Sequence, residues 1–264
     1  MMVPQVSRPT RNQLARTSES RTLDPFLTME YRGGFPAFDS DYNMYITNAG
    51  NSSVTVYAAN WTAGNTAPTK TLSGNNTGLN DPYGVAFDSD DNMHITNTGI
   101  YTNVAASVTV YAAGWADGNT APTKTLSGNK TGLNGPGGVA FDSDYNMYII
   151  NFEDTSVTVY AANWADGNTA PTKTLSGNNT GLDDPQDVAF DSDDNMYITN
   201  NDNSSVTVYA ANWADGNTAP TSTLSGNNTE LSFPQGVAFD SDDNMYITNL
   251  GPKNVANLVT VYGS

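Results

Sequence analysis

Ala86-Phe87-Asp88-Ser89-Asp90 is one copy of a pentapeptide that also begins at Ala37, Ala140, Ala189 and Ala238. Its phenylalanines, Phe38, Phe87, Phe141, Phe190 and Phe239, are spaced by 49, 54, 49 and 49 residues. A period of about 50 residues predicts a propeller or a solenoid. Each unit carries four short runs rich in β-branched and aromatic residues, bounded by Asn, Asp, Gly and Pro. These read as four strands, A to D. In the second unit they are Val85-Ala-Phe-Asp-Ser, Met93-His-Ile-Thr, Ser107-Val-Thr-Val-Tyr and Thr123-Lys-Thr-Leu. No helical period is sustained between Gly34 and Ser264.

A count of the strands decides between ring and solenoid. Strand B recurs at Met44, Met93, Met147, Met196 and Met245, and strand C around Tyr57, Tyr111, Tyr160, Tyr209 and Tyr262. Strand D follows only four times, at Leu72, Leu126, Leu175 and Leu224. A fifth copy lies at the other end, where Ser20-Arg21-Thr22-Leu23 matches Thr69-Lys70-Thr71-Leu72. Leu23 and Leu72 each precede their next A-strand phenylalanine by 15 residues. An N-terminal strand that completes the last blade seals a closed ring and hides a sheet edge, whereas an open solenoid gains nothing from it. The sequence therefore predicts an all-β, five-bladed β-propeller of four-stranded antiparallel blades. Residues 1–19 are expected to be a disordered basic tail and residues 20–264 a single propeller domain. Its closing strand is 20–23, and its repeats start at about 34, 83, 137, 186 and 235.

Composition narrows the function. The net charge is −17, and five of the ten basic residues (Arg8, Arg11, Arg16, Arg21, Arg32) precede the first A strand. So acidic a ring repels phosphate backbones, which argues against a nucleic-acid partner. Cysteine is absent, which removes disulfides, thiolate chemistry and cysteine-ligated zinc. No run reaches the roughly 20 apolar residues of a membrane-spanning helix, and residues 1–19 lack the apolar core of a secretory signal. A soluble, monomeric protein is expected. Seven Asn-x-Ser/Thr acceptors, starting at Asn51, Asn60, Asn75, Asn129, Asn178, Asn203 and Asn227, bear on function only if the chain is secreted or displayed at a cell surface.

Antiparallel connectivity places the A–B turns and C–D loops at one end of each blade and the B–C and D–A loops at the other. The first end is nearly constant between copies, as in Asp88-Ser-Asp-Asp-Asn92 and Asp191-Ser-Asp-Asp-Asn195. The second varies. The B–C loops are Asn48 to Ser53, a longer one from Asn97 to Ala106, Asn151 to Ser156, and one with Pro252 and Lys253. The D–A loops carry Tyr83, Gly137, Gln186-Asp187 and Gln235 at matching positions. Variation gathered at one end of a repeat protein points to a binding face.

Three motifs offer chemistry. The Asp-x-Asp-x-Asn turns, as at Asp88, Asp90 and Asn92, resemble the opening of a calcium loop. The competing reading is an Asx turn, in which Asp and Asn bond their own backbone and no cofactor is held. Trp61, Trp115, Trp164 and Trp213 lie in polar loops, where they either stack on sugars or pack against the next blade. His94 is the single histidine and replaces the strand-B tyrosine of the other copies. It reads as a tolerated substitution.

The unit Gly236-Val-Ala-Phe-Asp-Ser-Asp-Asp-Asn-Met-Tyr-Ile-Thr-Asn249, with Asn203-Ser-Ser-Val-Thr-Val-Tyr209, resembles the NHL repeat over about Ser20 to Tyr262. The acidic residue usual after strand B is Asn here, and the linker from Asp24 to Gly34 differs from the other D–A linkers. The resemblance implies a binding propeller, since NHL proteins bind proteins, RNA or peptides. It also implies an alternative, because related propellers include metal-dependent lactone hydrolases and lyases. That chemistry would need a divalent ion in the channel, with Glu153 and strand-B asparagines as ligands. Near-identical blades, however, supply near-identical environments, whereas catalysis needs differentiated acids and bases. The sequence thus favours a non-enzymatic module for a protein, peptide or glycan, with a multivalent lectin as a further alternative. The expected ligand-binding residues are Asn48, Tyr83, Asn97, Asn151, Glu153, Gln186, Asp187, Asn200, Gln235 and Asn249.

Overall fold

The structure, a computed structural model, describes residues 34–62, 64–100, 102–251 and 258–263. Strand A is β1 (Ala37–Phe38), β5 (Pro82–Phe87), β9 (Pro136–Phe141), β13 (Pro185–Phe190) and β17 (Pro234–Phe239). Strand B is β2 (Met44–Asn48), β6 (Met93–Asn97), β10 (Met147–Asn151), β14 (Met196–Asn200) and β18 (Met245–Asn249). Strand C is β3 (Ser53–Tyr57), β7 (Ser107–Tyr111), β11 (Ser156–Tyr160), β15 (Ser205–Tyr209) and β19 (Leu258–Tyr262). Strand D is β4 (Lys70–Ser73), β8 (Lys124–Ser127), β12 (Lys173–Leu175) and β16 (Ser222–Leu224). Neighbours in each sheet are antiparallel, and the order A-B-C-D holds in four blades. Among the described residues the fifth sheet is β17-β18-β19. The expected tail and the closing strand at 20–23 lie outside the described residues. The fold is an all-β, five-bladed β-propeller.

The hairpins start from turn chemistry. In each A–B turn the first aspartate accepts two backbone N–H groups. Asp88 Oδ1 takes those of Asp90 (2.9 Å) and Asn92 (3.0 Å), and Asp39, Asp142, Asp191 and Asp240 repeat the pattern. Asp91 takes a left-handed φ of 61° to close the turn. The adjacent turns are then tied together. Ser40 N–H donates to Asp91 (3.2 Å), Ser143 to Asp194 (3.0 Å) and Ser192 to Asp243 (3.1 Å).

The hydrophobic core lies between blades, which is why both faces of strands B and C are apolar enough to bury. Val54, Val56 and Leu72 of the first blade share one cluster with Phe87, Met93, Ile95, Tyr111 and Trp115 of the second. Each fully buried aliphatic side chain stabilises by roughly 1.5–3 kcal/mol. Edge-on ring pairs repeat at these seams: Tyr45 on Phe87 (4.7 Å), Tyr148 on Phe190 (4.8 Å) and Tyr197 on Phe239 (4.8 Å). His94 fills the same place on Phe141 at 5.0 Å. Its Nε2 lies 3.1 Å from Asp88, as the hydroxyl of Tyr197 lies 3.1 Å from Asp191. The histidine thus does the tyrosine's packing work.

Candidate functional site

The five A strands line the axis. The residue three before the A-strand phenylalanine is Gly84, Gly138 or Gly236 in three blades and Phe35 or Asp187 in the other two. A Cβ on Gly84 would stand 2.6 Å from the Gly137 carbonyl oxygen, and one on Gly138 would stand 2.7 Å from the Asp187 Cα. Glycine is required there by the approach of the next blade. Strand-B threonines stitch these contacts. Thr47 donates to the Tyr83 carbonyl (2.6 Å), Thr96 to Gly137 (2.7 Å) and Thr199 to Gln235 (2.7 Å). The ring also closes at the axis, because a Cβ on Gly236 of the fifth blade would stand 2.7 Å from the ring of Phe35.

What remains open on the axis is a cavity of about 70 Å³, lined among others by Phe35, Gly138, Asp187, Gly236 and Tyr246. Its end toward the B–C and D–A loops is filled. There the Tyr83 hydroxyl donates across the ring to Gln186 Oε1 at 3.1 Å, and both side chains are buried. Phe35 and Phe152 flank the Tyr83 ring, each with centroids 6.2 Å away. Beneath this plug Asp187 is the acidic residue of the cavity wall, and its Oδ2 accepts the Val237 N–H at 3.1 Å. Burial pushes its carboxyl up to about 7, against the downward pull of the Val237 and Val188 N–H groups.

The five asparagines that end strand B sit inside the blades. The Asn97 Oδ1 takes the Asn80 N–H (3.0 Å), while its amide nitrogen donates to Thr109 (3.1 Å). Asn151, Asn200 and Asn249 make the same pair of bonds, to Asn134 and Thr158, Asp183 and Thr207, and Ser232 and Thr260. The Asn48 amide donates to Thr55 at 3.3 Å. The amides of Asn97, Asn151, Asn200 and Asn249 therefore pin four D–A loops to their own blades. Of the other expected ligand residues, Tyr83, Gln186 and Asp187 are grouped at the axis. Gln235 is half-buried, with its amide on the Phe233 carbonyl (3.2 Å), and Glu153 is exposed on its B–C loop.

The B–C and D–A loops share one face, joined by bonds such as Phe152 N–H to the Gly135 carbonyl (3.1 Å) and Leu250 N–H to the Phe233 carbonyl (3.1 Å). Ile100, Val104, Phe233 and Leu250 project exposed from it. On the opposite face the first aspartate of each A–B turn is consumed by structure. Asp88 receives hydrogen bonds from Asn92 and His94; burial would raise its carboxyl, but these bonds and the histidine charge hold it at about 2. The turn at Asp88, Asp90 and Asn92 is an Asx turn with its first carboxylate already engaged. Among the described residues no group of three His, Asp or Glu side chains stands close enough to hold a metal ion. The expected Glu153–asparagine ligand set is not brought together in the channel: Glu153 is exposed on its loop, and the Oδ1 atoms of Asn97, Asn151, Asn200 and Asn249 accept D–A loop N–H groups.

Three of the four loop tryptophans are covered rather than offered, and Trp61 of the first blade is exposed. Trp115, Trp164 and Trp213 are buried, with Lys70, Lys124 and Lys173 over their rings at 4.8, 3.7 and 4.7 Å. Sequence reasoning did not single out Phe35 and Phe152, which complete the plug, or the stitching threonines. The signals were present: Phe152 follows strand B only in the third copy, and threonine precedes the strand-B asparagine in every copy but the one with Ile150.

No family model and no curated protein matches the sequence. Solved structures do resemble the fold. A gluconolactonase from Xanthomonas campestris aligns with a TM-score of 0.59 at 18% identity, covering 88% of this chain and 72% of that one. A virginiamycin B lyase from Staphylococcus aureus aligns with a TM-score of 0.53 at 10% identity, covering 90% and 72%. A protein of unknown function from Bacteroides caccae aligns with a TM-score of 0.60 at 10% identity, covering 84% and 72%. At these identities the likeness concerns the propeller fold, which hosts enzymes in the first two cases. No helix among the described residues is long and apolar enough to cross a membrane.

Proposed function

We propose that this chain is a non-enzymatic, NHL-type binding propeller that takes a protein or peptide on the face formed by its B–C and D–A loops. One observation carries the reading: the loop end of the axis is plugged by the buried Tyr83–Gln186 pair, while the loops around it carry Ile100, Val104, Phe233 and Leu250 in the open. A substrate entering the channel from that face meets packed side chains, whereas a partner lying across the face meets apolar surface. Three of these four exposed side chains are aliphatic, and such a surface suits a protein or peptide better than a sugar, which stacks on aromatic planes. The net charge of −17 favours a partner with basic residues around an apolar centre. Glu153 on the same face supplies one anchor for them.

A display library of peptides, selected against the intact chain, tests this. Selected peptides should lose at least about tenfold in affinity, about 1.4 kcal/mol, on Phe233→Asp or Leu250→Asp. They should be indifferent to Tyr145→Ser, which alters the opposite face. Peptides insensitive to the loop-face variants would contradict the proposal. A stoichiometric divalent ion lost on Glu153→Ala, together with hydrolysis of a lactone, would establish the enzymatic alternative instead.

A further inference from the structure

The outer edge of the last blade differs from the others in a way that names its occupant. Val259 and Val261 of β19 are 50% and 53% exposed, whereas Val54, Val56, Val108, Val110, Val157 and Val159 are 0–4% exposed. Across the same seam, Met44, Tyr57 and Trp61 of the first blade are only partly covered, Trp61 at 36%. Their counterparts Met93, Tyr111 and Trp115 are at 0%, 0% and 7%.

The three complete seams show what covers such a surface. The D-strand leucine bridges the C–D loop glycine of the next blade, as Leu72 to Gly118, Leu126 to Gly167 and Leu175 to Gly216. The lysine two residues earlier lies over that loop's tryptophan. The threonine five residues later offers its carbonyl to the strand-C tyrosine of the next blade, as Thr77 to Tyr111, Thr131 to Tyr160 and Thr180 to Tyr209. All three receiving groups exist in the first blade, as Gly64, Trp61 and Tyr57.

We infer that residues 20–28 of this chain are a two-blade staple, which adds a fourth strand to β19 and seals the seam against the first blade. Stepping back 49 residues from the first D strand places Arg21 where Lys70 stands, Leu23 where Leu72 stands and Thr28 where Thr77 stands. Leu23 then pairs with Val259 and Thr22 with Thr260, in the register of Leu72 with Val54 and Thr71 with Thr55. Arg21 covers Trp61, Leu23 reaches Gly64, and the Thr28 carbonyl takes the Tyr57 hydroxyl. Four positions match in kind at the right spacing in one short segment (a basic residue, Thr, Leu and Thr), which is why the occupant is this segment and not a second copy. The 1–33 stretch has ample length, because the described chain resumes at Gly34 beside the axis.

The chain has no cysteine, so one engineered pair reads the contact directly. Thr22→Cys with Thr260→Cys, in the full chain under mild oxidation, should give an intramolecular disulfide in most molecules, at a yield unchanged by hundredfold dilution. Free thiols in folded monomer would overturn the staple. Disulfide-linked dimers that vanish on dilution would assign the edge to a second copy and overturn it equally. Independently, Leu23→Asp should lower the melting temperature by roughly 5–15 °C, while Leu14→Asp leaves it unchanged. Equal melting of both variants would also contradict the staple.

Discussion

Asp187 stands where three other blades have glycine, and its carboxyl pKa is pushed from 3.8 to about 7 by burial at the axis. Between about pH 4 and pH 7 the native state therefore holds a proton that the unfolded chain has lost. This group's contribution to stability is fully present below about pH 4, falls as pH rises through that window and is gone above about pH 7. The three-unit shift corresponds to about 4 kcal/mol. Asp187→Asn removes the titration. Its melting temperature relative to the unmutated chain should rise between about pH 4 and pH 7 and level off above that in calorimetry, and a pH-independent difference would contradict the assignment. Thr96 offers a second test, since its hydroxyl both accepts the Gly84 N–H (2.8 Å) and donates to the Gly137 carbonyl (2.7 Å) with no exposure to water. Thr96→Val should cost about 1–3 kcal/mol in urea unfolding, because it strands two buried backbone groups.

At the scale of elements, the strands were legible because turn residues and apolar alternation agree in every copy. The A-strand Phe, strand-B Met and D-strand Leu each fall in the sheet position their repeat implies. The site was legible only in part. Tyr83, Gln186 and Asp187 stood out as departures from a repeat, and departures are where repeats specialise. The strand-B asparagines lie at the variable end by connectivity alone, and sequence cannot tell whether an amide there faces outward or turns back on its own blade. Their hydrogen bonds to the D–A loops answer that. Asn151→Ala should therefore act first on folding, costing about 1–3 kcal/mol through the orphaned Asn134 N–H and Thr158 hydroxyl. A loss of ligand affinity at unchanged stability would give Asn151 a direct binding role instead. Trp115, Trp164 and Trp213 are the complementary case: exposed by their polar neighbours in sequence, covered by a lysine of the preceding blade in three dimensions.

For the whole molecule, twenty-seven acidic against ten basic residues set the electrostatic background. Self-repulsion in a closed ring is screened by salt over roughly 10 Å at 0.1 M. Raising NaCl from 10 to 150 mM should lift the melting temperature by about 2–4 °C, the equivalent of about 1 kcal/mol, and a flat or falling response would contradict the repulsion. A field of this sign is what the proposed basic partner would be drawn to. Its division of labour is between ends. One end joins its turns to each other through Ser40–Asp91, Ser143–Asp194 and Ser192–Asp243, and the other leaves apolar loop residues open around a plugged axis. Amide hydrogen exchange of the intact chain with and without a selected peptide tests that division most directly. Protection confined to residues 97–106, 151–156, 232–235 and 249–251 is the predicted result. Protection of the A–B turns, or of the strands lining the channel, would contradict it.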